Sequence, residues 1–292
     1  MDGRVDGGVD GRGDRAVWTR VSAGRDQPLD LLAARFVHHR FAPHAHEEFS
    51  IGVCTAGVEF LDYRGDRWYA RPGSVVILEP DEVHTGSPAI PDGFSYRVMY
   101  PATALVAESG LAKPHFPNPI VYDPQLADAL RRTHVELTEG SDPLAAESRL
   151  TWNLATMLHR HAVRRGSVAG ADGAGAAPGE RVARAAMDRL ADQLLDPPSL
   201  QDIAAELGLS RFQLLRAFRA SVGLPPYAWL AQYRVNRARC LLAEGYRPAQ
   251  AAALVGFADQ AHLNRWFRRV VGVTPGSFRN SVQDSIARLP RS

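Results

Sequence analysis

Two stretches in the last third of this 292-residue chain repeat each other. LGLSRFQLLRAFRASVGLPPYAWL (Leu207–Leu230) and VGFADQAHLNRWFRRVVGVTPGSFR (Val255–Arg279) align at an offset of 49 residues. The identical pairs are Leu214/Leu263, Arg216/Arg265, Phe218/Phe267, Arg219/Arg268, Val222/Val271, Gly223/Gly272 and Pro226/Pro275. Gly208 and Gly256 are offset by 48, so the second copy carries one more residue in its turn. A repeat of this kind is one supersecondary unit used twice. Each copy reads as helix, glycine-containing turn, helix. In the first, Ser199 is an N-cap with Asp202 three residues on, close to a capping box. Ile203, Ala204 and Leu207 then form a buried face, and Gly208 supplies the left-handed residue that stops the helix. Ser210 caps the next helix, and Asp259 stands in the equivalent place of the second copy.

Val255–Asn280 combines a hydrophobic spine with Arg265, Arg268, Arg269 and Arg279. A solvated helix does not need the spine, and a buried helix cannot hold the arginines unpaired. Helix, short turn, helix resolves the conflict, because the second helix can enter a major groove of DNA. Leu263 and Phe267, four apart, pack inward. Gln260, His262, Asn264 and Arg265 are left outward near the helix N-terminus, where groove contacts are made, while Arg268 and Arg269 suit phosphate oxygens. Arg can bind guanine with two hydrogen bonds, and Gln or Asn can do the same with adenine. The matching outward set in the first copy is Arg211, Phe212, Gln213, Leu215 and Arg216, with Arg219 further along; Phe212 and Leu215 suit thymine methyl groups or sugars. Tyr227–Leu242 reads as one long connecting helix with Trp229, Leu230, Tyr233, Ala238 and Leu241 inward. It would hold the two heads for successive grooves about 34 Å apart. The alternative is that one copy reads bases and the other only supports it.

The charge distribution agrees. Glu180–Ser292 carries a net +7 and the remainder −5, and Ser210–Asn280 has 11 arginines against Glu244 and Asp259. Only the C-terminal third is expected to meet a polyanion.

The rest of the chain is built differently. MDGRVDGGVDGRGDR has almost nothing to bury and is no signal peptide, so residues 1–24 read as a disordered tail. GSVAGADGAGAAPG (Gly166–Gly179) reads as a flexible linker, placed at 166–180. Between them, FSIGVCTAG, VEFLDYRGDRWYARPG and SVVILEPDEVH are rich in Val, Ile, Phe, Tyr and Trp. They are punctuated by Arg64-Gly65-Asp66 and Arg71-Pro72-Gly73, which predicts a small barrel or sandwich. Pro124–Glu139 and Leu144–Arg165 are predicted helices, with Leu126, Leu130, His134 and Leu137 on one stripe and Leu150, Leu154 and Leu158 on the other. Such stripes can cover a barrel's open face or form a homodimer interface. No apolar run approaches the ~18 residues of a membrane span. Cys54 and Cys240 fit a reduced cytoplasm and make neither a disulfide framework nor a four-thiolate zinc site.

With these residues in view, about Arg181 to Arg279 resembles the DNA-binding domain of the AraC/XylS family of transcription regulators. The segment GLSRFQLLRAFRASVGLPPYAWLAQYRVNRARCLL and the closing motif GFADQAHLNRWFRRVVGVTPGSFR carry the likeness, down to Phe278 and Arg279. The resemblance implies base contacts at Arg216 and Arg265; Ala261 is too short for a polar contact. APHAHEEFSIGVCTAG and RPGSVVILEPDEVH resemble the cupin-like sensor domain that many members carry. The implied fold class is α+β: a cupin-like β-barrel with two packed helices (25–165), then an all-α domain of two helix-turn-helix units joined by a long helix (181–284).

The implied function is a sequence-specific transcription regulator, most often an activator, responding to a small-molecule effector in the barrel. Its partners would be double-stranded operator DNA and RNA polymerase, with no membrane and no cofactor. A barrel mouth is the default pocket, and its polar candidates are His44, His46, Tyr63, Glu79, His84 and Arg97. Arg97 would clamp a carboxylate or pair with an internal acid. His44, His46 and His84, near Glu47 and Glu48, also raise a metal hypothesis. The carboxylate position of metal-binding cupins is held here by Ser50 or Ile51, and the other use of these histidines is to hydrogen-bond inside the barrel or line an effector pocket. A metal-dependent cupin enzyme or metal sensor fused to a DNA-binding domain is therefore the competing reading. An alkyl-transfer DNA repair regulator needs a cysteine cluster that two isolated cysteines cannot supply.

Overall fold

The computed structural model describes residues 13–23, 27–111, 113–140, 142–164 and 177–288. The chain divides into a sheet-rich unit, residues 1–41 and 45–170 with 277–292, and a helical unit, residues 171–276 with 42–44. The first unit contains strands β1 (Arg15–Ala23), β2 (Gln27–Phe36), β3 (Phe41–His44), β4 (Ser50–Gly57), β5 (Glu59–Tyr63), β6 (Asp66–Ala70), β7 (Ser74–Leu78), β8 (His84–Pro88) and β9 (Phe94–Tyr100). Then come α1 (Thr103–Glu108), β10 (Pro114–His115), β11 (Ile120–Tyr122), α2 (Pro124–Glu139), α3 (Pro143–His161) and β12 (Val163–Arg164).

The strands form a six-stranded sheet in the order β1-β2-β9-β4-β7-β11 and a four-stranded sheet in the order β3-β8-β5-β6. β10 and β12 pair separately. The pairings of the large sheet are antiparallel, and both of its faces are covered. Leu31, Ile51, Val53, Val75, Ile77 and Met99 share one core with Leu126 and Leu130 of α2 and Leu150 and Leu154 of α3. Each fully buried leucine there contributes roughly 1.5–3 kcal/mol. Cys54, Val76 and Leu78 belong to a second core with Leu61, Tyr63 and Ala70 of the small sheet. The unit is thus an open two-sheet sandwich. Of the barrel or sandwich expected, the sandwich forms: the two sheets remain separate ladders with no strand pairing across the rim among the described residues, so the cupin-like barrel is not closed.

Both predicted helices form, α2 with the predicted bounds. Asp123 caps it by accepting from the Leu126 N–H at 3.1 Å, and Gly140 at φ 66° ends it. Their stripes cover the large sheet, as one of the two expected uses requires. α3 stops at His161, short of the predicted Arg165. A larger correction concerns the tail read over 1–24: β1 occupies Arg15–Ala23 in full antiparallel register with β2. Residues 1–12 of that tail lie outside the described residues, as does most of the predicted linker 166–180, whose last residues already belong to a helix.

That helix is α4 (Pro178–Asp192), followed by α5 (Leu200–Glu206), α6 (Arg211–Val222), α7 (Pro226–Ala243), α8 (Pro248–Leu254), α9 (Gln260–Val271) and α10 (Pro275–Arg288). The repeat folds as two helix-turn-helix units, α5–α6 and α8–α9, with α7 as connector. Ser199 and Asp202 cap α5 reciprocally, and Ser210 and Gln213 do the same for α6. Asp259 caps α9 by accepting from the His262 N–H at 2.6 Å. Gly208 (φ 66°) and Gly256 (φ 83°) take the left-handed turns. Ala183, Ala186 and Leu190 of α4 pack with Ile203, Leu214, Phe218 and Leu230 around the first unit. In the second, Ala251, Ala252, Val255, Leu263 and Phe267 are buried.

Candidate functional site

The two second helices present their charge as the repeat demands. On α6, Arg211, Phe212, Gln213, Arg216 and Arg219 are exposed; on α9, Gln260, Arg265, Arg268 and Arg269 are. Among the described residues, none of these arginines forms a salt bridge with a carboxylate. Arg216 lies over the Phe212 ring at 5.7 Å and Arg269 over Trp266 at 5.8 Å, which keeps both guanidinium groups near the surface. Backbone amides at capped helix N-termini add positive partial charge.

Four of the predicted contacts are engaged elsewhere or drawn inward. The Gln213 side-chain oxygen accepts from both the N–H and the Oγ–H of Ser210 at 2.9 Å, so its carbonyl belongs to the helix cap. His262 is half-buried, edge-on to Phe257 at 5.1 Å. Leu215 and Asn264, equivalent in the repeat, are both half-buried, and Asn264 Oδ1 is buried without a protein hydrogen-bond partner. Outwardness at these positions was overestimated, since a helix three turns long buries nearly half its girth when it packs in a compact unit. Sequence reasoning missed Arg234 of α7. It donates to the Leu194 carbonyl at 3.2 and 2.5 Å and lies over Phe257 at 6.0 Å, tying the end of α4 to the second unit.

In the sheet-rich unit the six predicted polar residues do not form one site. Atoms of His44, His46 and His84 converge within 4.8 Å of one another. His44 Nδ1 lies 2.8 Å from the Ala42 carbonyl and His84 Nδ1 lies 3.0 Å from that of Glu82. A carbonyl only accepts, so the Nδ1 atoms of both rings carry a proton. Burial pushes His84 down to about 4, so it is neutral at physiological pH. The His46 ring stands 5.1 Å from both His84 and Tyr100.

Glu79 and Tyr63 are structural. Tyr63 Oη accepts from the Glu79 N–H at 3.4 Å. The Glu79 carboxylate accepts from the Phe116 N–H at 2.8 Å and pairs with Arg64 at 2.9 Å. Arg97 lies on the other face of the large sheet, paired in register with Val53 of the helix-facing core. There it donates to His134 Nδ1 at 3.2 Å, and His134 Nε2–H donates to the Leu32 carbonyl at 3.2 Å. Burial, with the Arg97 charge added, holds His134 at about 4.

Glu59 went unnoticed in the sequence. It shares the inward phase of β5 with Leu61 and Tyr63, both 1% exposed, which was the available signal. Glu59 itself is half-buried. Burial raises it to about 8. Cys54 is pushed up to about 12, by burial first and by the Glu59 charge second; Tyr96 is raised by burial, then by Tyr100 and Glu59. Both therefore lie within electrostatic reach of Glu59.

Residues 27–154 match the AraC-like ligand binding domain family, and residues 203–281 match the helix-turn-helix domain family. The HTH-type transcriptional regulator YbfI of Bacillus subtilis is 26% identical over 82% of this chain and 87% of its own length. The arabinose operon regulatory protein of Salmonella typhimurium is 24% identical over 81% of this chain and 85% of its own. This chain belongs to the AraC family of transcription regulators. Its sheet-rich unit carries the ligand-binding domain of an AraC-family regulator and its helical unit the DNA-binding domain. A crystal structure of ToxT from Vibrio cholerae with an unsaturated fatty acid bound shares the fold, with a TM-score of 0.55 at 12% identity over 93% of this chain and 96% of that one. Among the described residues of this AraC-family chain, no helix is long and apolar enough to cross a membrane.

Proposed function

We propose that this regulator works in the cytoplasm as an activator that reads its operator through both α6 and α9. On this reading Arg216 and Arg265 contact bases, with Arg211, Phe212 and Gln260 beside them, while Arg219, Arg268 and Arg269 grip phosphates. The observation that carries it is that Arg216 and Arg265 are both exposed at matching repeat positions, and among the described residues neither is engaged by a carboxylate. Arg265→Ala should weaken operator binding by about 1–3 kcal/mol and relax one base position. Arg268→Ala should weaken operator and random DNA alike. Equal losses on both DNAs for both variants, read by fluorescence anisotropy at fixed salt, would sink the assignment.

The effector site of this reading is the space between the two sheets, onto which His46, His84, Tyr96, Tyr100 and Glu59 face. On this reading the sensor domain ends near 164 and the DNA-binding domain begins near 177. Homodimerisation fits Leu144 and Trp152 of α3, which are 75% and 72% exposed two turns apart on one helix face. Trp152→Arg should halve the mass seen by analytical ultracentrifugation. RNA polymerase is the partner that activation requires.

A second reading has its own observation. Three imidazoles converge, two of them with Nδ1 held by backbone carbonyls, the outer-sphere arrangement of histidine metal ligands. His44, His46 and His84 would hold a divalent transition ion such as Ni²⁺ or Zn²⁺, making the unit a metal sensor. Retention of one equivalent after dialysis, lost in His84→Ala, supports it; absence of retained metal in the unaltered chain rejects it.

A further inference from the structure

The inward face of the sandwich holds a carboxyl group at the edge of an aromatic cluster. Glu59 projects from β5 toward the large sheet, and among the described residues it has no hydrogen-bond or ion-pair partner. Its Oε1 lies 2.9 Å from where a Cβ on Gly86 would stand, and the same point is 3.3 Å from the Phe41 ring. Any side chain at position 86 would therefore occupy the space beside the carboxyl. Phe36 is edge-on to Phe41 at 5.3 Å and 6.0 Å from both Phe94 and Tyr96, and Phe94 stacks on Tyr96 at 5.2 Å. Gly57 and Gly93 draw the strands together at this end: a Cβ on Gly57 would fall 2.0 Å from the Gly93 carbonyl oxygen, and one on Gly93 2.1 Å from that of Phe36.

An enclosed carboxyl without a counter-charge is costly, and the protein alone answers it by holding the proton. Aromatic rings offer their negative faces to cations. An organic cation would satisfy both features, whereas an anionic effector would meet the carboxyl as a like charge. We propose that Glu59, with Phe41 and Tyr96, forms a recognition site for a substituted ammonium group on the effector, the fully buried Phe36 and Phe94 backing those two rings. This rests on the reading that the sandwich interior is the effector site, and it names the ligand's chemical class.

The test is isothermal titration of the full chain at pH 7 with choline, tetramethylammonium, decanoate and 3,3-dimethylbutan-1-ol, the uncharged carbon isostere of choline. The cations are expected to bind and the alcohol to bind at least tenfold more weakly. Glu59→Gln should weaken the cations at least tenfold and leave the alcohol unchanged. Cation binding should also release close to one proton, read from heats in two buffers, because Glu59 is protonated up to about 8 before the cation arrives. Cys54 and Tyr96 keep their protons at pH 7, and His84 has none to give. His39, packed on Phe41 at 4.4 Å, is controlled by Glu59→Gln, in which the release should vanish. An alcohol that binds as well as the cations, a Glu59→Gln variant that binds them unchanged, or no cation binding would each overturn the proposal. Decanoate binding that Gly86→Leu blocks would overturn the cation class and leave the effector site in place. Probe binding untouched by both substitutions would count against both.

Discussion

Asn264 shows what one residue can reveal about a repeat. Its partner at the same position of the first copy is Leu215, and both are half-buried. A buried acceptor without a partner costs about 1–3 kcal/mol, so Asn264→Leu is expected to stabilise the helical unit by about 1 kcal/mol, measured by urea unfolding. Operator affinity should change less than in Arg265→Ala if the position is structural. His134 makes the matching case in the sheet-rich unit. Burial and the Arg97 charge depress it to about 4, and burial does the same to His84. The unfolded chain then binds more protons than the native one below about 6.5. Their stabilisation is present above that pH and is lost as pH falls toward 4. Thermal midpoints should drop across that window, less steeply in His134→Gln. Glu59 has the opposite sign: ionisation costs stability as pH rises from about 4.5 to 8, and Glu59→Gln should flatten that limb.

At the scale of elements, legibility depended on what each element buries. The helix-turn-helix units were readable because their signals are local: a cap, a left-handed glycine, and apolar residues three and four apart. α2 was readable to its ends for the same reason, with Asp123 before Pro124 and Gly140 after Glu139. The large sheet was harder. Ser50–Cys54 are all buried because both faces of β4 are covered, so alternation no longer tells one side from the other. That is why Arg97 was grouped with residues on the opposite face, and why Glu59 escaped. β1 was missed because its VWTRVSA follows a run of Gly, Asp and Arg, and only pairing with β2 gives it a reason to be a strand. Gly93 supplies an element-scale test. It combines φ 74° with a carbonyl 2.1 Å from any Cβ. Gly93→Ala is expected to cost several kcal/mol, seen as a large loss in thermal midpoint with DNA contacts untouched.

For the whole molecule, the two units have cores of their own, and the asymmetry of charge follows the same division. The helical unit should therefore retain sequence-specific DNA binding when residues 177–292 are expressed alone, with a steep salt dependence from its arginines. Loss of specificity in that fragment would mean that reading needs the sheet-rich unit. Barrel or sandwich could not be decided from the sequence, because closure depends on pairing between strands distant in the chain, and no local signal reports it.

β9 is a wall one residue thick. Tyr96 looks into the space between the sheets, and Arg97, the next residue, holds His134 of α2 on the far side. Odd and even side chains of one strand thus belong to different rooms, and a single peptide unit separates them. A ligand that displaced the Tyr96 backbone would move the peptide that carries Arg97, with no intervening side chain to relay the shift, much as a knock on one face of a thin partition is heard on the other.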